Sequence, residues 1–175
     1  MSADIRSLEL LSRLARVRLL GLDVDGVLTD GGLFYTESGE ELKRFHVKDG
    51  QGLKLLMASG VEVAIISASR SQSTVHRARV LGIRHVFLGV EDKLTALVAL
   101  CSVLDLSLDQ VAYAGDDLND LPVLGAVGVP LTVADGMPEN RAAAVYVTGL
   151  NGGNGAVREL CDLICQARRE QRAYE

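Results

Sequence analysis

Hydrophobic and polar positions along the chain fall into two alternating patterns: short unbroken apolar runs, and longer stretches with an apolar residue every third or fourth place. Leu19-Leu20-Gly21-Leu22 belongs to the first pattern and ends abruptly in Asp23-Val24-Asp25-Gly26. A short apolar run closed by turn residues fits a parallel strand buried on both faces. Runs of the same kind predict strands over 61–66, 85–88, 111–114 and 127–133, and a last short one at Tyr146-Val147. The second pattern predicts helices. Residues 4–16 carry Ile5, Leu8, Leu11 and Ala15 at helical spacing, with Ser2 or Asp4 as cap, and further helices are expected over 50–59 and 71–81, with a helical turn over 118–124. Leu94, Leu97, Val98, Cys101 and Leu104 form another stripe, and Val157, Leu160, Cys161 and Ile164 a closing one. Residues 31–47 break the alternation, because two β-prone runs flank Ser38-Gly39 in the manner of a hairpin.

Strands and helices alternating at this spacing predict an α/β fold, a doubly wound parallel sheet with helices on both faces and right-handed crossovers. The hairpin would protrude from it. There is no internal repeat, low-complexity run or Pro/Gly/Ser linker, and Gly152-Gly153-Asn154-Gly155 reads as the loop before the last helix. A chain of 175 residues is long enough for a sizeable core, and residues 1–175 are read as one domain.

Composition narrows the classes. A formal net charge of -5 argues against a nucleic-acid or anionic-membrane surface. The charged tail Arg168-Arg169-Glu170-Gln171-Arg172 is expected to fray in solvent. Cys101, Cys161 and Cys165 are an odd set without metal-ligand spacing, all on apolar helix faces, and read as reduced core thiols. No segment has the length for a signal peptide or a membrane span, so the expected compartment is cytoplasmic.

The candidate chemistry lies where strands end. The first strand leads to Asp23 and Asp25, the second to Ser67-Ala68-Ser69-Arg70, the third to Glu91-Asp92-Lys93 and the fourth to Gly115-Asp116-Asp117-Leu118-Asn119-Asp120. Taken singly these have ordinary readings: Asp23 and Asp25 as turn or cap residues, Ser67 as a cap, Lys93 as a solvated first-turn lysine, Asp117 and Asp120 as acids favoured by a helix dipole. In a doubly wound sheet, however, these ends share one edge, and ligands bind beyond it. The set fits phosphoryl transfer. An aspartate can take a phosphoryl group as an acyl phosphate, a divalent cation needs only a few carboxylates, and an ammonium and a hydroxyl can offset charge on the transferring oxygens. Asp23 is the candidate nucleophile and Asp25 the candidate acid/base, with Lys93 and Ser67 as the stabilising groups.

In that order the four clusters resemble the haloacid dehalogenase superfamily of phosphohydrolases. The resemblance implies Mg²⁺ bound by Asp23, the Asp25 backbone carbonyl and Asp116, with Asp117 and Asp120 supporting. The hairpin, the run Phe45-His46-Val47-Lys48-Asp49-Gly50-Gln51-Gly52 and the late Gly152-Gly153-Asn154-Gly155-Ala156-Val157-Arg158-Glu159 are similar to the 3-deoxy-D-manno-octulosonate 8-phosphate phosphatases, over nearly the whole chain. That group has no cap domain and works as a homotetramer, so the resemblance implies that the hairpin builds the assembly and that Arg158 helps recognise an anionic sugar acid. One departure concerns substrate: the group carries Gly-Arg after the second motif, and phosphatases for nine-carbon keto acids carry an acidic residue at the second place. Here Ala68-Ser69 stand there, with Arg70 one step later. Arginine grips a carboxylate bidentately and serine cannot, which makes Arg70 and Arg158 the candidates for substrate binding. The implied activity is Mg²⁺-dependent hydrolysis of the eight-carbon sugar-acid phosphate. The alternatives are a nine-carbon keto-acid 9-phosphate or an inactive oligomerisation module of the same fold. A phospho-accepting receiver would place its aspartate mid-chain and its lysine last, and this chain has the opposite order.

Overall fold

A computed structural model describes residues 2–174, with side chains over 8–173. Its strands are β1 (Leu19–Leu22), β2 (Phe34–Tyr35), β3 (Glu41–Leu42), β4 (Glu62–Ser67), β5 (His85–Leu88), β6 (Val111–Ala114), β7 (Val129–Thr132) and β8 (Tyr146–Val147). Its helices are α1 (Ser2–Ala15), α2 (Val47–Ala58), α3 (Gln72–Leu81), α4 (Lys93–Leu104), α5 (Leu121–Leu124), α6 (Pro138–Ala143) and α7 (Ala156–Tyr174). Six strands form one sheet in the order β5-β4-β1-β6-β7-β8, every pair parallel. The chain winds outward from β1 in both directions, which puts the switch point, where such sheets bind ligands, at the carboxyl end of β1.

Alternation along β1 feeds two cores. Leu20 and Leu22 pack with Leu14, Leu53, Leu56, Leu160 and Ile164, so α1, α2 and α7 cover that face. Leu19 joins Ala64, Ile66, Leu97, Cys101, Tyr113 and Val123 on the face covered by α4 and α5. Gly21 leaves room for an aromatic neighbour, since a Cβ there would stand 2.7 Å from the Tyr113 ring. Residues 31–46 contribute only the β2–β3 ladder, Phe34 opposite Leu42 and Tyr35 opposite Glu41, and no cap domain is present among the described residues.

Four expectations are adjusted. Ser2, Asp4 and Ile5 have side chains outside the described residues, and Leu8 is exposed; the buried face of α1 is Leu14 flanked by Leu10, Leu11 and Ala15. Helix α2 starts three residues earlier than its glycines suggest, because the buried Asp49 in its first turn accepts from the Gly155 and Arg158 N–H groups at the start of α7, at 3.4 and 2.8 Å. The charged tail does not fray at Arg168: its guanidinium donates to the carbonyls of Val17 at 2.7 Å and Ser59 at 3.4 Å, tying α7 to the loops beside it. All three cysteines are free thiols, and Cys165 is only half-buried.

Candidate active site

The strand pairing of β1 runs one residue past its end, with the Asp23 N–H donating to Ala114 at 3.0 Å, so Asp23 is held at a fixed height over the sheet edge. The chain then turns sharply: the Val24 carbonyl accepts from the N–H groups of Val27, Leu28 and Thr29. Gly26 makes the turn possible. Its φ of +87° favours glycine, and a Cβ there would stand 1.9 Å from an Asp116 carboxylate oxygen. The loop before α7 braces the same turn, with the Gly153 N–H on the Val27 carbonyl at 3.0 Å.

Lys93, the first residue of α4, reaches this point from the opposite side of β1. Its side chain is 1% exposed, and its ammonium lies 2.8 Å from Asp23 Oδ2 and 2.7 Å from Asp120 Oδ1. Burial opposes its charge, but the Asp23 and Asp120 carboxylates prevail and hold its pKa above the ordinary lysine range. Asp120 is fully buried and saturated. Its Oδ1 accepts from Lys93 and from the Tyr113 hydroxyl at 2.8 Å, and its Oδ2 from the N–H groups of Asp116 at 3.1 Å and Asp117 at 3.3 Å. A carboxylate has about four lone-pair sites. With all of them filled, Asp120 positions its neighbours and has none left for a cation.

Asp23 and Asp116 differ from it. Each Asp23 oxygen accepts one hydrogen bond, Oδ1 from Val24 N–H at 2.7 Å and Oδ2 from Lys93, leaving a lone pair on each. Asp116 Oδ1 is buried and accepts none. Carboxylate oxygens of Asp23, Asp116 and Asp120 lie within 4.8 Å of one another. Burial, then the Asp120 charge, raises the Asp23 pKa to about 6 against the pull of Lys93. Burial, then the Asp23 and Asp120 charges, raises that of Asp116 to about 7. Asp23 and Asp116, two close carboxylates with oxygen lone pairs left over beside the saturated Asp120, are a donor set suited to a hard divalent cation.

The other candidates are placed as follows. Asp25 lies beyond the cluster, half-buried, with Oδ1 on the Lys43 ammonium at 2.5 Å. Ser67, the last residue of β4, is buried at the same sheet edge, and its hydroxyl accepts from Ser69 N–H. Asp117 is exposed, and its carboxylate accepts from Leu118 N–H at 2.7 Å, capping a short 3₁₀ turn. Arg70 is exposed and lies across Gly89 just past β5, where a Cβ would meet its Nε at 2.6 Å; no hydrogen bond or ion pair engages its side chain among the described residues. Arg158 is not brought to the acids. It pairs with Asp162 at 2.7 Å and lines a separate cavity of about 570 Å³ with His46, Lys48 and Asn154.

Two residues of the site escaped the sequence reading. Tyr113 sits mid-strand and reads as core, and its partnership with Gly21 across β1–β6 is the signal that could have found it. Lys43 reads as an ordinary charge on a solvent-facing hairpin, and nothing in the sequence separates it from its neighbours.

Fold and edge chemistry together define a doubly wound α/β protein of the phosphoryl-transfer class. A family model described as haloacid dehalogenase-like hydrolase matches residues 89–160. The 3-deoxy-D-manno-octulosonate 8-phosphate phosphatase of Yersinia pestis is 47% identical over 160 residues, covering 91% of this chain and 86% of the relative. The enzyme of the same name from Escherichia coli strain K12 is 44% identical over 162 residues, 93% of this chain and 86% of the relative. The crystal structure of the Moraxella catarrhalis enzyme of that name, in complex with magnesium ion, phosphate ion and a KDO molecule, has a TM-score of 0.91 at 43% identity, covering 95% of both chains. The chain belongs to the haloacid dehalogenase-like hydrolases, in the family of the 3-deoxy-D-manno-octulosonate 8-phosphate phosphatases.

Proposed function

We propose that this protein is a Mg²⁺-dependent phosphomonoesterase that hydrolyses 3-deoxy-D-manno-octulosonate 8-phosphate to the free sugar acid and phosphate. The observation that carries the metal site is the buried Asp116 Oδ1 that no donor reaches, beside an Asp23 with lone pairs to spare. Asp23 and Asp116, with the Asp25 carbonyl, would hold Mg²⁺. Bound there, the cation offsets negative charge on the phosphoryl oxygens.

Asp23 attacks phosphorus through a carboxylate oxygen whose position Val24 N–H and Lys93 fix. The bond from phosphorus to the sugar oxygen breaks, and the Asp25 carboxyl gives its proton to the leaving alkoxide. The product is an acyl phosphate on Asp23. Asp25, now a carboxylate, takes a proton from water as that water attacks phosphorus, releasing phosphate and restoring Asp23. Lys93 and the Ser67 hydroxyl supply positive charge and a donor to the transferring oxygens. Asp120 holds Lys93 and the Asp116-Asp117 backbone in place. Arg70, free at the same edge, is the cation available to the substrate carboxylate, whereas the Asp162 pair engages Arg158.

Residues 1–175 work as one unit in this reading, in the cytoplasm, and as a homotetramer. The assembly is supported by Leu33, Phe34, Tyr35 and Leu42, which the hairpin exposes to 53–62%. No described helix is long and apolar enough to cross a membrane. The test is phosphate release with Mg²⁺ from the octulosonate 8-phosphate, a nine-carbon keto-acid 9-phosphate and 4-nitrophenyl phosphate. The expected order of kcat/KM puts the eight-carbon compound first. A higher value for the nine-carbon compound reassigns the substrate, and no release from any of them overturns the reading.

A further inference from the structure

The Asp25 carboxylate takes no part in the buried acid cluster, although it is two residues from Asp23. The hairpin is the reason. Lys43, directly after β3, sends its side chain back to the loop beyond β1, where the ammonium lies 2.5 Å from Asp25 Oδ1 and 2.9 Å from Glu41 Oε1. The Lys43 side chain is 1% exposed, while that of Asp25 is 35% exposed. A cation so enclosed is held by its two carboxylates, which raise its pKa against the desolvation that opposes its charge. Its platform is fixed in turn: Ser73 of α3 donates to the Glu41 carbonyl at 3.3 Å, and Arg44 bonds Asp30 at 2.7 Å and Asn154 at 3.1 Å. Among the described residues no donor engages Asp25 Oδ2.

We infer that Lys43 is a positioning residue for Asp25: by holding Oδ1 it turns Oδ2 toward the open edge as the oxygen that exchanges the proton with the leaving alkoxide and with water. Lys43 touches neither reacting atom and acts through Asp25. The inference rests on the proposed acid/base role of Asp25. It deepens that role by assigning the two oxygens different tasks and by making the hairpin, which looks like an assembly device alone, part of the catalytic framework. An Asp25 that no partner held would be free to swing toward the cation-binding site. The pair with Lys43 keeps it out.

The experiment uses leaving-group dependence, since a poor alkoxide leaving group needs a proton in the phosphoryl-transfer step and 4-nitrophenolate does not. The full-length protein with Mg²⁺ is compared as wild type, Lys43→Met, Lys43→Arg and Asp25→Asn, with kcat/KM measured on the octulosonate 8-phosphate and on 4-nitrophenyl phosphate, and circular dichroism as the folding control. Lys43→Met is expected to lose about 10²-fold on the sugar phosphate, the lower end of general acid/base contributions, and under about threefold on the aryl ester. Lys43→Arg, which keeps the cation, should recover most of the loss. Asp25→Asn should show the same selectivity with a larger drop. Equal losses on both esters by Lys43→Met mark a structural role and overturn the inference, as does a selective loss in Asp25→Asn with none in Lys43→Met. If Asp25→Asn itself shows no selective loss, the acid/base reading fails first. Should Lys43→Met not fold, Glu41→Gln removes the second carboxylate and leaves the Asp25 contact, so retained ester selectivity in that variant supports the inference and its loss overturns it.

Discussion

The buried acid cluster, gathered from Asp23, Lys93, Asp116 and Asp120, and the hairpin of residues 31–46 are built on opposite principles. Around Asp23 the supporting groups are closed off and over-determined: Lys93 is clamped by two carboxylates, and Asp120 has four donors. The hairpin has a two-pair ladder, apolar side chains facing solvent, and one enclosed lysine. The cluster stores electrostatic strain, because carboxylates that repel are kept close by the fold. The hairpin stores unpaid-for surface, because apolar side chains lie open. On the proposed reading a cation relieves the first and a second copy of the chain covers the second.

Replacing the nucleophile separates function from stability most sharply. Asp23→Asn is expected to lower turnover by at least about 10³-fold, in keeping with losses on removing a covalent nucleophile. It also removes one of the mutually repelling buried charges, so thermal unfolding of the metal-free protein should not fall. A melting temperature well below wild type would show the cluster to be stabilising as it stands, and the contrast with the hairpin would collapse. Lys93→Met does the reverse. It strands Asp23 and Asp120 without their cation, and breaking such a buried pair costs about 3–5 kcal/mol. Denaturant unfolding reads this directly, and a loss under about 1 kcal/mol would contradict the placement.

The cluster also dictates a pH dependence. Asp23 at about 6 and Asp116 at about 7 both stand above the usual carboxylate value of 3.8. The folded state therefore binds their protons more tightly than the unfolded state does. The stability this contributes is fully present below about pH 4, where both states are protonated, and is lost as pH rises through 6 to 7. Metal-free protein should lose several kcal/mol between about pH 4 and 7, and added Mg²⁺ should restore stability at pH 7 by mass action. A metal-free protein as stable at pH 7 as at pH 5 would remove the electrostatic strain from the picture.

The two regions were also unequally legible in the sequence. Strands ending in acids are unusual, and the fold rule that gathers strand ends on one edge made Asp23, Lys93 and Asp116 readable before any coordinates. The strands at 85–88, 111–114 and 146–147 fall where the apolar runs place them. What escaped is tertiary. Asp49 reaches from α2 to the start of α7, and Arg168 from α7 to Val17, each bridging more than a hundred residues. No local pattern encodes such a partner. The same holds for Lys43 and Tyr113: one looks like any surface lysine, the other like any core aromatic, until the fold brings them to the acids.

Tyr113→Phe sharpens the comparison at intermediate scale. It removes one of four donors to Asp120 and leaves the ring against Gly21. Loss of one hydrogen bond to a charged, buried acceptor costs about 1.5–3 kcal/mol, with turnover falling less than in Lys93→Met, since Lys93 still holds Asp120 Oδ1. An equal fall in both would mean that Tyr113 acts on the reacting groups rather than on their support.

The smallest effect on the folded chain is expected at the hairpin. Phe34 is 54% exposed and pairs only with Leu42 across the two-residue ladder. Phe34→Ser should shift chain stability by no more than about 0.5 kcal/mol, as surface substitutions do, in protein dilute enough to be monomeric. At working concentration the same change removes apolar area that a second copy would cover, so sedimentation velocity should show the assembly dissociating at higher protein concentration than wild type. The two regions are then distinguished by what repairs them: Mg²⁺ should raise the melting temperature of wild type and Phe34→Ser alike, whereas protein concentration should raise that of wild type more than that of Phe34→Ser. If concentration stabilised both equally, the interface would have to lie on another face, and the hairpin's remaining structural task would be to carry Lys43 to Asp25.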